Sequence, residues 1–528
     1  MRLLSKALFL AMILAGMAMG CSTASAASAG NIYIAQSASG SGNGSSCANA
    51  HAYTFFNNSG NWGSGSSQIG PGTTVHLCGI WTGSAGQWFL AFQGSGMSGN
   101  PITLHFETNA VWQAPYFNSN GAINTSGNNY ITIDGGTNGL IQNTLNGSSG
   151  KICPGGTCSY QQASRVVQAS GSSNVTMKNL TIANLYVHSS ASDSVVDATQ
   201  VNCIYDSGTI TNLTITNNTM HDTGWCISLQ YAGTSTNVVI SGNNIYNMDH
   251  GVGIGGPGAG YTLNGVTISG NNIHDYSNWD TSADAYHHDG VHIWGYNDNG
   301  SDTIKNVSIY DNTFGGCIGQ TTTAHIFMEA NAGSTMGSTV TIFNNTLLDT
   351  CTGTATNGFI TTGIDSGYQI YNNTAIGAPA DTCFATSSSP NIVFKNNVAS
   401  GCGTFMDITT GGGFAAGGLS NNVYANSNGS NAFVYRGNYS SSFSTWRSET
   451  GQEGNSSYAA NPLLNSNGSP QSGSPVIGAG TNLTSLGITG LDSDIVGVAR
   501  PRSGAWDVGA FVYSGAPAPP TNLTATPN

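Results

Sequence analysis

Histidine is scarce in this chain, 11 of 528 residues, and only 7% of residues are charged. Against that background four motifs stand out: His221-Asp222-Thr-Gly-Trp225, Asp249-His250-Gly-Val-Gly-Ile254, Tyr286-His287-His288-Asp289-Gly-Val-His292-Ile-Trp294 and Ala324-His325-Ile-Phe-Met-Glu329. Aligned on Gly224, Gly251 and Gly290, they put Asp222, Asp249 and His288 in one column and His250 beside Asp289. Aligning Ile293 with Ile326 puts His292 beside His325. If each motif is a strand, alternate side chains point to opposite faces. With Val291 and Ile293 inward, His292 and Trp294 face outward, and the same count sends His325, Phe327 and Glu329 outward. Stacked strands lie about 4.8 Å apart, so imidazoles, carboxylates and rings would gather within about 5–10 Å.

Such a set suits acid–base chemistry on a sugar. Asp249 or Asp289 can activate water or attack, and a carboxyl of the Asp249, Asp289 and Glu329 set, raised in pKa by like-charged neighbours, can protonate a leaving oxygen. Trp225 and Trp294 offer flat faces for sugar rings. His250, His292, His325, Tyr286 and Asp222 would orient substrate or carboxylates. His288 or Tyr286 could instead serve as the base of an elimination, with a bound cation neutralising a uronate. His250, His288, Asp289, His292 and His325 also form a candidate metal set, although no HExxH spacing accompanies them. A plain structural reading competes, because stacked Asp and Asn side chains satisfy turn amides. Asp365 and Asp407 fall outside the cluster.

The elements that must position these residues are repeats. Asn212-Leu-Thr-Ile-Thr-Asn-Asn-Thr-Met220 returns at Asn237–Ile245, Gly265–Ile273, Asn306–Phe314 and Thr339–Leu347, with starts 25 to 41 residues apart. Shorter copies lie at 368–376 and 391–399. Each copy alternates apolar and polar residues over a short strand and then breaks at an Asn pair or Asp-Asn. Asn tolerates left-handed backbone angles and suits a tight corner. A unit this small buries its apolar face only by stacking on copies of itself. The pairs Asn217-Asn218, Asn243-Asn244, Asn271-Asn272, Asp311-Asn312, Asn344-Asn345, Asn372-Asn373 and Asn396-Asn397 are then expected to form a ladder.

These residues resemble the pectate-lyase-like superfamily of right-handed parallel β-helices, over roughly 110 to 430. The resemblance implies an all-β solenoid with N- and C-terminal caps. It does not select an activity, since that superfamily holds lyases, hydrolases, epimerases, esterases and non-enzymes. Ser474-Pro-Val-Ile-Gly-Ala-Gly480, Arg500-Pro-Arg502 and Trp506-Asp-Val-Gly-Ala-Phe511 look like the closing segment of secreted bacterial β-helix proteins, which implies capping and stability.

The expected organisation is an export signal over 1–26, an N-terminal cap with first coils over 27–115, a β-helix core over 116–430, C-terminal coils and cap over 431–513 and a Pro-rich linker over 514–528. Arg2 and Lys6, the apolar run to Met19 and Ala24-Ser-Ala26 make the signal. Ala18-Met-Gly-Cys21 also resembles a lipobox, so a lipid anchor at Cys21 is the competing reading. The chain has 11 cysteines. Sequence neighbours suggest Cys47–Cys78, Cys153–Cys158, Cys203–Cys226, Cys317–Cys351 and Cys383–Cys402, which fits an oxidising compartment: secreted, cell-surface or periplasmic.

A net charge of −13 with only 11 Lys plus Arg argues against nucleic acid and favours a neutral over an acidic polysaccharide as partner. Three functions follow. A glycoside hydrolase with paired carboxylates needs no cofactor, although a divalent cation such as calcium is compatible. A polysaccharide lyase or uronate epimerase would need a cation near the base, and Lys305 sits outside the cluster. A non-enzymatic surface or adhesion protein is the third.

Overall fold

The computed structural model describes residues 28–145, 162–185, 200–256, 258–276, 287–295, 301–319, 322–329, 334–351, 356–426 and 431–515. The expected export signal over 1–26 with Cys21, the residues Cys153, Cys158 and Tyr286, and residues 516–528 of the expected linker lie outside them.

The repeated phrases stack in register as a right-handed parallel β-helix. One sheet has 14 strands, from His51–Ala52 and Asn31–Ala35 at one end to Phe414–Ser420 at the other. A second, of 24 strands, forms the remaining wall and is parallel except for the hairpin Phe433–Tyr435 with Asn438–Ser440. Alternation builds the core: Leu213, Val238, Val266, Val307 and Val340 form one inward column, and Ile215, Ile240, Ile268, Ile309 and Ile342 the next. All ten are buried.

The corner ladder forms, with a one-residue correction in two coils. Its buried members are Asn218, Asn243, Asn271, Asn312, Asn345, Asn373, Asn397 and Asn422. Each passes its backbone N–H to the side chain of the next, as in Asn243 to Asn271 Oδ1 at 2.9 Å and Asn271 to Asn312 Oδ1 at 3.0 Å. The residue before each ladder Asn is left-handed, for example Asn217 at φ 56° and Asp311 at φ 55°. In the coils of Asn243 and Asn271 that position is taken by Gly242 and Gly270, so Asn244 and Asn272 lie beyond the ladder. The ladder ends on buried Glu453, which accepts from Asn422 Nδ2 at 3.2 Å and Trp446 Nε1 at 3.2 Å. Trp446 belongs to the helix Phe443–Thr450 and stacks on Phe433, closing the end of the core.

Three expected disulfides are present: Cys47–Cys78, Cys317–Cys351 and Cys383–Cys402. Cys203 and Cys226 do not form the expected bridge. They are buried, unbonded neighbours with sulfurs 3.1 Å apart.

Candidate functional site

Four strands of the second sheet carry the motifs: Thr219–Tyr231, Asn244–Gly255, His288–Trp294 and Thr322–Glu329. Their register puts Trp225, His250, Asp289 and Ala324 in one row. The row three residues on holds Ser228, Gly253, His292 and Phe327, and two further lie Gln230, Gly255, Trp294 and Glu329. His250 therefore does neighbour Asp289, and Asp249 neighbours His288.

Other expected contacts shift. Val291, not Ile293, pairs with Ile326, so His292 lies beside Phe327 and not His325. The register shifts by one residue between His288 and Asp289, and the strand then bends. Gly290 is an inward residue, because a side chain there would meet Tyr276 Oη at 2.4 Å and Phe314 at 2.8 Å. Val291, the next residue, is also in the core. Two successive inward residues break strict alternation, and the outward side chains on either side of the bend converge. His325 shares the inward position of Gly290: it is fully buried against Phe314 and Phe359, with Nδ1 2.8 Å from Tyr276 Oη. Burial holds its imidazole down to about 3, so it is a neutral core residue and not a substrate ligand.

Asp222 is also displaced from its expected column. It is left-handed at φ 55°, as are Asn247 and Asp275, and it is bonded to His221 and Asn247. It is a corner residue beside the site strands. The Gly224 alignment was two residues off, because Trp225 pairs with His250.

What converges is a His–Asp cluster. Asp289 Oδ2 lies 3.3 Å from His250 Nε2, 3.1 Å from His287 Nε2 and 3.6 Å from His292 Nδ1. Its other oxygen accepts the Ala324 N–H at 2.8 Å. Asp249 bonds His250 Nδ1 through one oxygen and lies 3.2 Å from His288 Nδ1 through the other. His292 Nε2 contacts Glu329 Oε2 at 3.0 Å. His250, His288, Asp249 and Asp289 are buried, whereas the Glu329 side chain is 33% exposed and that of His287 45%.

Burial alone would raise both aspartates. Charge and hydrogen bonding from His250 and His288 drive Asp249 well below the carboxylate range, and the adjacent imidazoles of His250, His287 and His292 bring Asp289 to about 2. His250, which burial would lower, is lifted to about 9 by Asp249 and Asp289. Burial keeps His292 below the usual histidine range despite Glu329 and Asp289. Neither aspartate is thus a carboxyl of raised pKa, contrary to the expected acid. Asp249 and His288 sit behind the cluster, where they position His250.

Aromatic rings border the cluster. Trp225 stacks on His250 at 4.0 Å, Phe327 on His292 at 4.7 Å, and Trp294 meets Trp225 edge-on at 5.5 Å. Glycines let these rings lie across the neighbouring coil. A Cβ at Gly255 would fall 1.8 Å from the Trp294 indole, and one at Gly253 2.7 Å from that of Trp225. Phe327 faces outward as its alternation predicts, whereas the part played by His287 has no signature in residue type.

No protein-family model and no curated protein matches this sequence. Among solved structures, the crystal structure of pectate lyase Pel9A is similar at 14% identity and TM-score 0.42, over 92% of this chain and 96% of that one. The crystal structure of native GH136 lacto-N-biosidase from Eubacterium ramulus is similar at 12% identity and TM-score 0.34, over 82% of this chain and 67% of that one. The likeness lies in the fold alone.

Proposed function

We propose that this protein is an exported carbohydrate-active enzyme that hydrolyses a glycosidic bond of a polysaccharide on the aromatic face beside the His–Asp cluster. The observation that carries this reading is the His292 bridge. Its two ring nitrogens reach Asp289 at 3.6 Å and Glu329 at 3.0 Å, next to the partly exposed faces of Trp225, Trp294 and Phe327. The two carboxyls are thus bridged by a single imidazole, close enough for both to act on one glycosidic bond.

Glu329, on the exposed side, protonates the leaving oxygen, and the attacking water enters beside the His–Asp cluster. The aromatic faces hold the sugar rings. A neutral substrate suits the net charge of −13. Elimination is less well served: Lys305 lies on the other sheet, in register with Asn264. The three disulfides suit an oxidising compartment.

The test is a screen of the purified protein on neutral and uronic polysaccharides, reading reducing ends and the absorbance of unsaturated ends separately. Reducing ends alone are expected, with Glu329→Gln lowering kcat at least ~100-fold while the melting curve is kept. Unsaturated ends would overturn hydrolysis, and full activity in Glu329→Gln would overturn the site.

A further inference from the structure

Three buried atoms of the cluster lie together with no hydrogen-bond partner: His250 Nε2, Asp289 Oδ2 and His292 Nδ1. They are ion-pair neighbours at 3.3 and 3.6 Å, with no well-formed hydrogen bond between them. His287 Nε2 completes the group from the solvent side, and all four atoms lie within 4.8 Å of one another.

We propose that His250, His287, Asp289 and His292 form a binding site for a divalent first-row transition ion, zinc in the first instance. Four ligands at about 2.0–2.1 Å from a tetrahedral ion stand about 3.3 Å apart. The contacts of Asp289 Oδ2 with the three imidazoles, 3.3, 3.1 and 3.6 Å, match that edge.

The surrounding shell has the form such a site needs. A ligating histidine generally gives its second ring nitrogen to a carboxylate, which sets tautomer and ring orientation. His250 Nδ1 is held by Asp249, and His292 Nε2 by Glu329 at 3.0 Å. Asp289 Oδ1 is fixed by the Ala324 amide at 2.8 Å, leaving only Oδ2 to bind. Packing holds the rings too, His250 against Trp225 and His292 against Phe327.

The donor set also selects the ion. Three imidazole nitrogens and one carboxylate oxygen suit a borderline transition ion. Calcium takes six to eight oxygens, so these residues do not fit the calcium considered from the sequence. His288 and His325 drop out of the metal set read from the sequence: His288 is turned to Asp249 and His325 to Tyr276. The site does not depend on the hydrolase reading, because a lyase or a binding protein could hold the same ion.

The test uses the full-length protein, purified without metal-affinity chromatography, stripped with a chelator and titrated with Zn²⁺, Co²⁺ or Ca²⁺ in the absence of any sugar. One equivalent of Zn²⁺ is expected by elemental analysis and calorimetry, with a rise in melting temperature that Ca²⁺ does not reproduce. Co²⁺ should give the visible absorption of a four-coordinate ion. His250→Ala and His292→Ala should each weaken Zn²⁺ binding at least ~100-fold. Asp249→Asn, which keeps all four ligands, should weaken it about 10–100-fold. His221→Ala, a histidine outside the cluster, should bind as the parent does. Circular dichroism of each stripped variant separates loss of the site from loss of the fold. Absence of stoichiometric binding by the folded parent, or binding indifferent to both His250→Ala and His292→Ala in folded protein, would overturn the site. Neither result bears on whether reducing ends are released, so the two proposals fail separately.

Discussion

Asp206 has a buried carboxyl that the site chemistry does not use. Oδ1 accepts the Gly171 amide at 2.8 Å, and Oδ2 has no partner. Burial pushes this carboxyl up to about 8, and the Gly171 and Ser207 amides reverse only part of that rise. A folded pKa above the unfolded value near 3.8 means that, between these limits, the folded chain keeps a proton that the unfolded chain releases. Its contribution to stability is complete below about pH 4 and is lost as pH rises through about 8. Asp206→Asn should therefore gain on the parent across that window, by up to about 5 kcal/mol at pH 9. Denaturant midpoints at a series of pH values measure this, and a parallel pair of curves would contradict it. His325 shows the same physics with opposite sign: burial forces an imidazole neutral, and a candidate ligand becomes core.

At the scale of the element, the corner and the bend do different work. Each ladder Asn is both acceptor and donor, so Asn271→Ala strands the Asn243 amide and side chain and removes the donor to the Ile240 carbonyl. Two or three buried groups left unpaired at about 1–3 kcal/mol each predict a loss of roughly 3 kcal/mol or more, read as a shift of the denaturant midpoint. Asn272→Ala, one residue away and exposed, should change it little. The glycines under the aromatic rings instead serve the site. Gly255→Val would expel the Trp294 indole from the surface of the coil. If Trp294 holds a sugar ring, polysaccharide affinity should fall about tenfold with little change in melting temperature. An unchanged affinity would remove Trp294 from the binding surface.

Over the whole molecule, the C-terminal segment acts as a lateral brace in addition to following the end cap. It runs back along the corner asparagines of four coils. Arg500 donates to Asn344 Oδ1 at 2.9 Å, Asn372 Nδ2 to the Gly509 carbonyl at 3.1 Å, Asn396 Nδ2 to Thr481 at 2.8 Å and Asn421 Nδ2 to Ala479 at 3.0 Å. Leu483, Leu491 and Trp506 cover Phe343 and Tyr371. In a solenoid each coil contacts mainly its neighbours, so loss of a brace is felt locally. Truncation after residue 461 should raise hydrogen exchange and proteolysis within 340–425 while the coils before Gln168 stay protected. Uniform loss of protection would show that the brace holds the fold as one unit.

The winding of the chain was legible in the sequence because it rests on local rules. Alternation sorts Ile240 and Ile268 inward, and Asn or Gly at a left-handed position turns the chain, wherever the copy occurs. The pairing of His250 with Asp289 was legible too, since both precede the same Gly-Val step. The exclusion of His325, the recruitment of His287 and the placing of His292 beside Phe327 were decided by tertiary structure. They follow from two consecutive inward residues at a bend, set by packing against Tyr276 and Phe314 from other strands and turns. Period-two counting carries no term for such packing. The sequence by itself therefore determined that a solenoid forms and which coils concentrate His, Asp and Trp. Only the packed core determined which of those side chains share one point.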